Sequence, residues 1–132
     1  MKPEELMIGD FVLYDDNICI VDEIRVDNTA VLTALNTDIT SIDGDQVSMD
    51  EITPILLTPE ILEKNGFVKD KYGEMTLELD DALGTTEIVL IPSYDEVYYW
   101  WKVSNELITK IKSIHELQHV LRLCNILKEI NV

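Results

Sequence analysis

The chain contains few of the residues that cross-link or interrupt structure. Its 132 residues include two cysteines, five glycines and four prolines. A disulfide-stapled scaffold needs more cysteine, and a low-complexity chain more glycine and proline, so a composition that is 46% apolar indicates a folded protein. Cys19 lies in a predicted strand and Cys124 in a predicted helix, and both are expected to be buried thiols.

Long hydrophobic runs are also absent from the sequence. No apolar stretch reaches the roughly 18 residues that a membrane-spanning helix needs. The first five residues, Met1 to Glu5, show no apolar segment of the kind that signal peptides carry. We therefore expect a cytoplasmic protein with no membrane partner.

Basic residues are scarce, and their scarcity restricts the possible partners. Ten lysines and arginines face 26 acidic residues, which gives a net charge of −16. Residues 1–51 alone carry 13 acidic and two basic residues. Such a surface repels phosphate, so direct nucleic-acid binding is disfavoured. The acidity serves solubility, or alternatively the acidic lobe imitates nucleic acid and binds a basic protein.

A short helix is predicted in the middle of the chain. Thr58 suits the N-cap, Pro59 the first helical position, and Gly66 the left-handed residue that ends a helix. The helix is thereby confined to residues 59–65. The segments before and after it differ in pattern, and the chain is divided here into residues 1–57 and 58–132, which could also form one compact domain.

The N-terminal segment has the rhythm of a small β-barrel. Three strands rich in β-branched residues are predicted within residues 7–14, 18–26 and 29–35, with room for one or two short strands between residues 36 and 50. The sequence Ile8-Gly9-Asp10 before the first strand resembles the opening of Src-homology-3-like barrels.

The C-terminal segment is predicted to be an antiparallel β-meander covered by a helix, which makes the fold class α+β. Strands are expected at residues 75–79, 85–91 and 97–103, and in the last of these Tyr99 and Trp101 share one face. That face either packs in the interior or binds a partner.

The final helix is predicted to begin after Ser113, with Glu116 completing a capping box. Its apolar residues form one broad arc, which indicates a helix laid on a sheet. The opposite, polar arc is expected to face solvent and contains His115, Gln118, His119, Arg122, Asn125 and Glu129.

The same helix contains a possible metal site. His115-Glu116-Leu117-Gln118-His119 matches H-E-x-x-H, in which two histidines bind zinc and the glutamate activates water. A third protein ligand is needed, and no histidine follows His119. Glu74 or Glu87 could serve instead. The motif residues therefore either form an ordinary helix surface or, as the alternative, belong to a minimal zinc hydrolase.

The chain resembles a family of small proteins from Bacteroidetes genomes, phages and conjugative elements. The residues that carry the resemblance are the start Met1-Lys2-Pro3-Glu4-Glu5-Leu6, Ile8-Gly9-Asp10, Pro54-Ile55-Leu56-Leu57-Thr58, Leu62 to Phe67, and Ile114-His115-Glu116-Leu117-Gln118-His119. Family members have Asn where this chain has His119. The resemblance implies an origin in mobile elements, and no activity, ligand or catalytic residue.

The sequence thus favours a non-catalytic accessory or interaction protein without a cofactor. It has no glycine-rich phosphate loop, no nucleophile elbow and no paired-cysteine motif. The partner is expected to be another protein, and the candidate contact residues are Tyr99, Trp101, His115 and His119.

Overall fold

The structure is a computed structural model. It describes residues 1–35, 46–81, 84–95, 97–124, 126 and 128–132. Within them the chain forms two antiparallel five-stranded sheets, one of them a curled half-barrel, and two α-helices, so the α+β class is confirmed. Two compact units are present: unit 1 comprises Met1–Leu56 and Ser113–Ile126, and unit 2 comprises Leu57–Lys112 and Leu127–Val132.

The sheet of unit 1 has the strand order β4-β3-β2-β1-β5, in which the last strand pairs with the first. The strands are β1 Phe11–Tyr14, β2 Asn17–Ile24, β3 Thr29–Ala34, β4 Gln46–Ser48 and β5 Ile52–Thr53. Short 3₁₀ turns occupy Pro3–Glu5 and Met49–Glu51. A further strand within residues 36–45 would lie outside the described residues.

Alternating side chains of these strands fill the interior of unit 1. Val12, Cys19, Val21 and Leu32 are fully buried there. A two-residue turn joins β1 to β2, and both of its residues, Asp15 and Asp16, have positive φ. Such a turn matches the twist of an antiparallel pair, which sets the register that turns these side chains inward.

Unit 2 begins with helix α1, Pro59–Lys64, one residue shorter than predicted. The Thr58 side chain accepts a hydrogen bond from the Ile61 backbone N–H at 3.2 Å. At the other end Gly66 has a φ of +93°, and the Phe67 N–H donates to the Leu62 carbonyl at 3.0 Å. Both ends are therefore fixed by the predicted local interactions.

The sheet of unit 2 has the order β10-β9-β8-β7-β6. The strands are β6 Val68–Lys69, β7 Met75–Asp81, β8 Gly84–Pro92, β9 Tyr99–Val103 and β10 Glu106–Ile111. Its inner face is apolar and buried and includes Met75, Leu77, Ile88, Leu90 and Ile111. The strand β10 was absent from the sequence prediction.

The second helix, α2, spans Ile114–Leu123 and begins after Ser113 as predicted. It belongs to unit 1 and contacts β1. The structure therefore does not confirm the predicted arrangement, in which this helix covers the second sheet. No helix among the described residues is both long and apolar enough to cross a membrane.

Candidate functional site

A hydrogen-bonded cluster at the start of α2 holds the first half of the H-E-x-x-H sequence. The Ser113 hydroxyl lies 2.7 Å from Glu116 Oε1 and 3.0 Å from His115 Nδ1, and it accepts a long bond of 3.5 Å from the Glu116 N–H. A hydroxyl has one proton to donate, and the Ser113 hydroxyl donates it in a hydrogen bond to the Glu116 carboxylate. His115 must therefore carry its proton on Nδ1 and donate it to Ser113.

The second half of the motif is used to bind a buried carboxylate. Asp10 precedes β1 and is 0% exposed. Its Oδ2 lies 2.7 Å from His119 Nε2, and its Oδ1 lies 3.0 Å from Arg122 Nη1. The Met7 backbone N–H donates to the same carboxylate at 2.7 Å. Asp10 is thus surrounded by donors, as a buried charge requires.

Gln118 supplies a second link between α2 and the residues around Asp10. Its side-chain amide donates to the Gly9 carbonyl at 3.1 Å and accepts the Phe11 N–H at 2.9 Å. Gly9 has a φ of +91°, and a Cβ there would lie 3.2 Å from an Arg122 nitrogen. Gly9 thus allows the close approach of Arg122 to the backbone before β1.

The expectation that both histidines face solvent is wrong for His115, which is 5% exposed. Its ring packs edge to face on that of His119, with the centroids 5.7 Å apart. Burial lowers the pKa of His115, while the negative charge of Asp10 acts in the opposite direction. Part of the polar arc is thus turned away from solvent. His115 is buried, and His119 and Arg122 contact the buried Asp10 carboxylate. Asn125, also placed on this arc, lies outside the described residues.

Each histidine of the motif has one ring nitrogen within hydrogen-bonding distance of a partner. His119 Nε2, the nitrogen nearest Asp10, is engaged by that carboxylate, and His115 Nδ1 by Ser113. Among the described residues, no three histidine, cysteine or acidic side chains are placed to hold one metal ion. A zinc ion bound by His119 Nε2 would have to displace Asp10, and Arg122 would be left beside the metal charge.

The aromatic residues of β9, with Tyr98 just before it, are divided between the two faces of the second sheet. Tyr99, a predicted contact residue, is 7% exposed on the inner face, and Trp101 is half-buried there opposite Leu90. On the outer face the rings of Tyr98 and Trp100 meet edge to face at 5.6 Å. That pairing follows the predicted alternation.

The outer face also carries a cation on β10. Lys110 Nζ lies 4.9 Å from the Tyr98 ring centroid and 5.2 Å from that of Trp100. On the same strand Leu107, which pairs with Lys102, is 51% exposed, and Ile108, in the register shift that follows, is 50% exposed. This group of five residues, Tyr98, Trp100, Leu107, Ile108 and Lys110, is called the hairpin patch below.

Sequence reasoning missed Asp10, Gln118 and Arg122 as a functional group. One signal was present, because Gln118, His119 and Arg122 lie on one side of a predicted helix. Their partner lies more than one hundred residues away in the chain, and no local pattern points to it. No family model, curated protein or solved structure matches the chain.

Proposed function

We propose that the protein is a non-catalytic accessory protein of the cytoplasm that binds another protein. The observation that carries this proposal is the use of the H-E-x-x-H side chains within unit 1. His119 and Arg122 hold the buried Asp10, and Ser113 is hydrogen-bonded to both His115 and Glu116. A catalytic side chain must reach its substrate. Ser113 is 0% and His115 is 5% exposed, and His119 Nε2 is held by Asp10.

The proposed fold of unit 1 is a Src-homology-3-like barrel. The return of β5 to pair with β1 supports it, because a small barrel requires its first and last strands to meet. Such barrels host many functions, so the fold supports a role in binding only as an analogy.

The proposed contact surface is the hairpin patch of unit 2. Exposed apolar side chains that lie together are unusual on a soluble protein and favour a binding role. Trp and Tyr also supply large contact areas at small entropic cost. Tyr99, Trp101, His115 and His119 stay sequence-based predictions. Exposure favours the two outward-facing rings over the buried Tyr99 and His115.

The charge of the patch indicates the chemistry of its partner. Residues 98–112 contain Lys102, Lys110 and Lys112 against a single acidic residue, Glu106, within a chain of net charge −16. Two copies of this surface would repel each other. A protein segment that presents an apolar side chain beside carboxylates would complement it.

The experiment is quantitative capture of proteins from a lysate of the source cells on immobilised protein. We expect Trp100→Ala and Lys110→Glu to reduce the amount of the same captured protein at least about fivefold, the loss expected for about 1 kcal/mol of binding energy. Trp101→Ala tests the sequence-based contact in parallel. Thermal unfolding of each variant shows whether the fold is retained.

The matched control is Tyr94→Ala, which removes a fully exposed aromatic ring outside the hairpin patch. It should leave capture unchanged. If folded Trp100→Ala and Lys110→Glu variants capture the same proteins in the same amounts as the parent, the hairpin patch is not the contact surface. If the parent protein turned over a substrate and the His115→Gln and His119→Gln variants did not, the non-catalytic role would be contradicted.

A further inference from the structure

Unit 2 contains a cavity that the interaction role does not use. Its volume is about 310 Å³, at the lower end of the range for small-molecule sites. Its walls are polar and apolar in about equal parts, and the apolar part is formed by Leu57, Pro59, Met75, Pro92 and Tyr99. Met75 and Tyr99 are buried, so they form the floor of the cavity.

Of the residues that the structure describes, one with a charged side chain lines this cavity. Lys69, on β6, is exposed, and among the described residues it forms no salt bridge, although the chain has 26 acidic residues. A second cation lies beside the cavity rim. Lys71 Nζ is 5.0 Å from the ring centroid of Tyr72, whose ring lines the cavity and is 75% exposed. Asp70 and Glu74 lie in the same turn and balance the two lysines, so the attraction for an anion is the local one of the Lys69 ammonium in the cavity lining.

The turn between β6 and β7 fixes the position of this rim. Asp70 Oδ1 accepts the backbone N–H groups of Tyr72 and Glu74 at 2.8 and 3.0 Å. Gly73 follows with a φ of +86°, a conformation that L side chains rarely adopt. Lys69 thus precedes this turn and Tyr72 lies within it. The backbone of the rim is preorganised, which lowers the entropic cost of binding.

We propose that the cavity binds a small organic anion with a flat apolar body, such as an aromatic carboxylate. The apolar body lies on Met75 and Tyr99, between Pro59 and Pro92. The anionic group lies at the rim against the Lys69 ammonium. Charge and shape select together, because a neutral ligand lacks the ion pair and an aliphatic dianion lacks the apolar contact.

The experiment compares 1-naphthoate with its neutral analogue 1-naphthalenemethanol, each titrated into the full chain and followed by amide NMR shifts. We expect saturable binding of 1-naphthoate, with the largest shifts at Lys69, Tyr72, Gly73 and Met75. The neutral alcohol should bind about fivefold more weakly, since an exposed ion pair contributes up to about 1 kcal/mol.

Two lysine variants separate the cavity from general charge attraction. Lys69→Met keeps the apolar stem and should bring 1-naphthoate down to the affinity of the alcohol. Lys102→Met removes one charge from unit 2 outside the cavity lining and should change neither affinity. The proposal is overturned if 1-naphthoate does not saturate, if the alcohol binds as tightly, if the shifts map elsewhere, or if Lys69→Met has no effect.

Discussion

Asp10 shows how one buried charge can organise distant parts of the chain. A carboxylate without exposure is costly unless donors surround it, and three donors reach Asp10 from two segments. Two of them, His119 and Arg122, lie on adjacent turns of α2 and approach the two oxygens separately. The placement of α2 in unit 1 therefore depends on the identity of single polar residues as well as on its apolar arc.

At the same scale, the buried His115 should make the stability of the protein depend on pH. Burial lowers its pKa from the ordinary 6.5, against the opposing charges of Asp10, Glu116 and Glu5 and with the help of His119. The unfolded chain therefore takes up this proton at a higher pH than the folded protein does. Well above pH 6.5 His115 is neutral in both states and does not reduce stability. As the pH falls below 6.5 towards the folded-state pKa, the unfolded chain binds the proton more readily and the unfolding free energy decreases.

We expect His115→Asn, which keeps a donor near Ser113 but cannot take up a proton, to lose part of the decline in unfolding free energy between about pH 7.5 and pH 5. Urea unfolding at a series of pH values measures it. Imidazole nitrogen shifts of the parent protein should show the Nδ1–H tautomer. An identical pH profile in the variant, or an Nε2–H tautomer, would contradict the assignment.

Sequence reasoning reached the residues of this site but not their roles. The pattern H-E-x-x-H and the cap Ser113 were both identified from spacing alone, and the cap is confirmed. The burial of His115 does not follow from the pattern, because a histidine at the edge of the apolar arc reads as polar. The role of Asp10 was missed because an acidic residue before a strand is ordinary in a chain with 26 of them.

At the scale of elements, helix α1 is the best-predicted part of the molecule. Its six residues are too few to be stable alone, so both ends must be held by caps and packing. These interactions are local in sequence, within a few residues of each end. That locality is the reason why its limits were predicted to within one residue.

We therefore expect Thr58→Ala to lower the unfolding free energy by about 1 kcal/mol, because the Ile61 N–H loses its acceptor. Chemical denaturation measures the change. Thr58→Ser keeps the hydroxyl and serves as the matched control, with a much smaller effect. Equal losses in the two variants would mean that the methyl group of Thr58, and not its cap, provides the stabilisation.

The strand β10 escaped prediction for an equally local reason. The turn before it consists of Ser104 and Asn105, both with positive φ, and it contains no glycine or proline to mark it. The strand is also irregular, since its register with β9 shifts between Leu107 and Thr109. Five of its six residues are exposed, so no buried alternation was available to reveal it.

At the scale of the whole molecule, each of the two units is formed by two separate segments of the chain. The chain leaves unit 1 after Leu56 and re-enters at Ser113, and these two residues form an isolated antiparallel bridge. The order of elements along the sequence suggested one division near residue 57, with everything after it together. The assignment of α2 to unit 1 rests on its contacts with residues that lie far away in the sequence. The periodicity of the helix shows which of its faces is apolar but does not identify the partner of that face.

Because Leu56 and Ser113 are paired in a β-bridge, a short Gly-Ser linker is long enough to connect them when residues 57–112 are deleted. We expect a chain of residues 1–56, linker and 113–126 to fold, since the Asp10 contacts and the buried cluster of unit 1 are all retained. Its amide NMR spectrum should be dispersed and resemble the matching part of the parent spectrum. A collapsed, poorly dispersed spectrum would show that unit 1 needs the deleted segment.

The same chain with Asp10→Ala provides the matched control for that experiment. If Asp10 organises the docking of α2, this variant should lose dispersion at β1 and α2 together. Loss at α2 alone would limit the role of Asp10 to the helix.

The most direct test of the central claim, that the second histidine of the motif serves to bind Asp10, is a double-mutant cycle. The unfolding free energy is measured by urea denaturation for the parent protein, Asp10→Ala, His119→Ala and the double variant. We expect a coupling energy of at least about 1 kcal/mol, because the two side chains are in direct contact within a partly buried network. Single effects that add to within about 0.3 kcal/mol would contradict the claim.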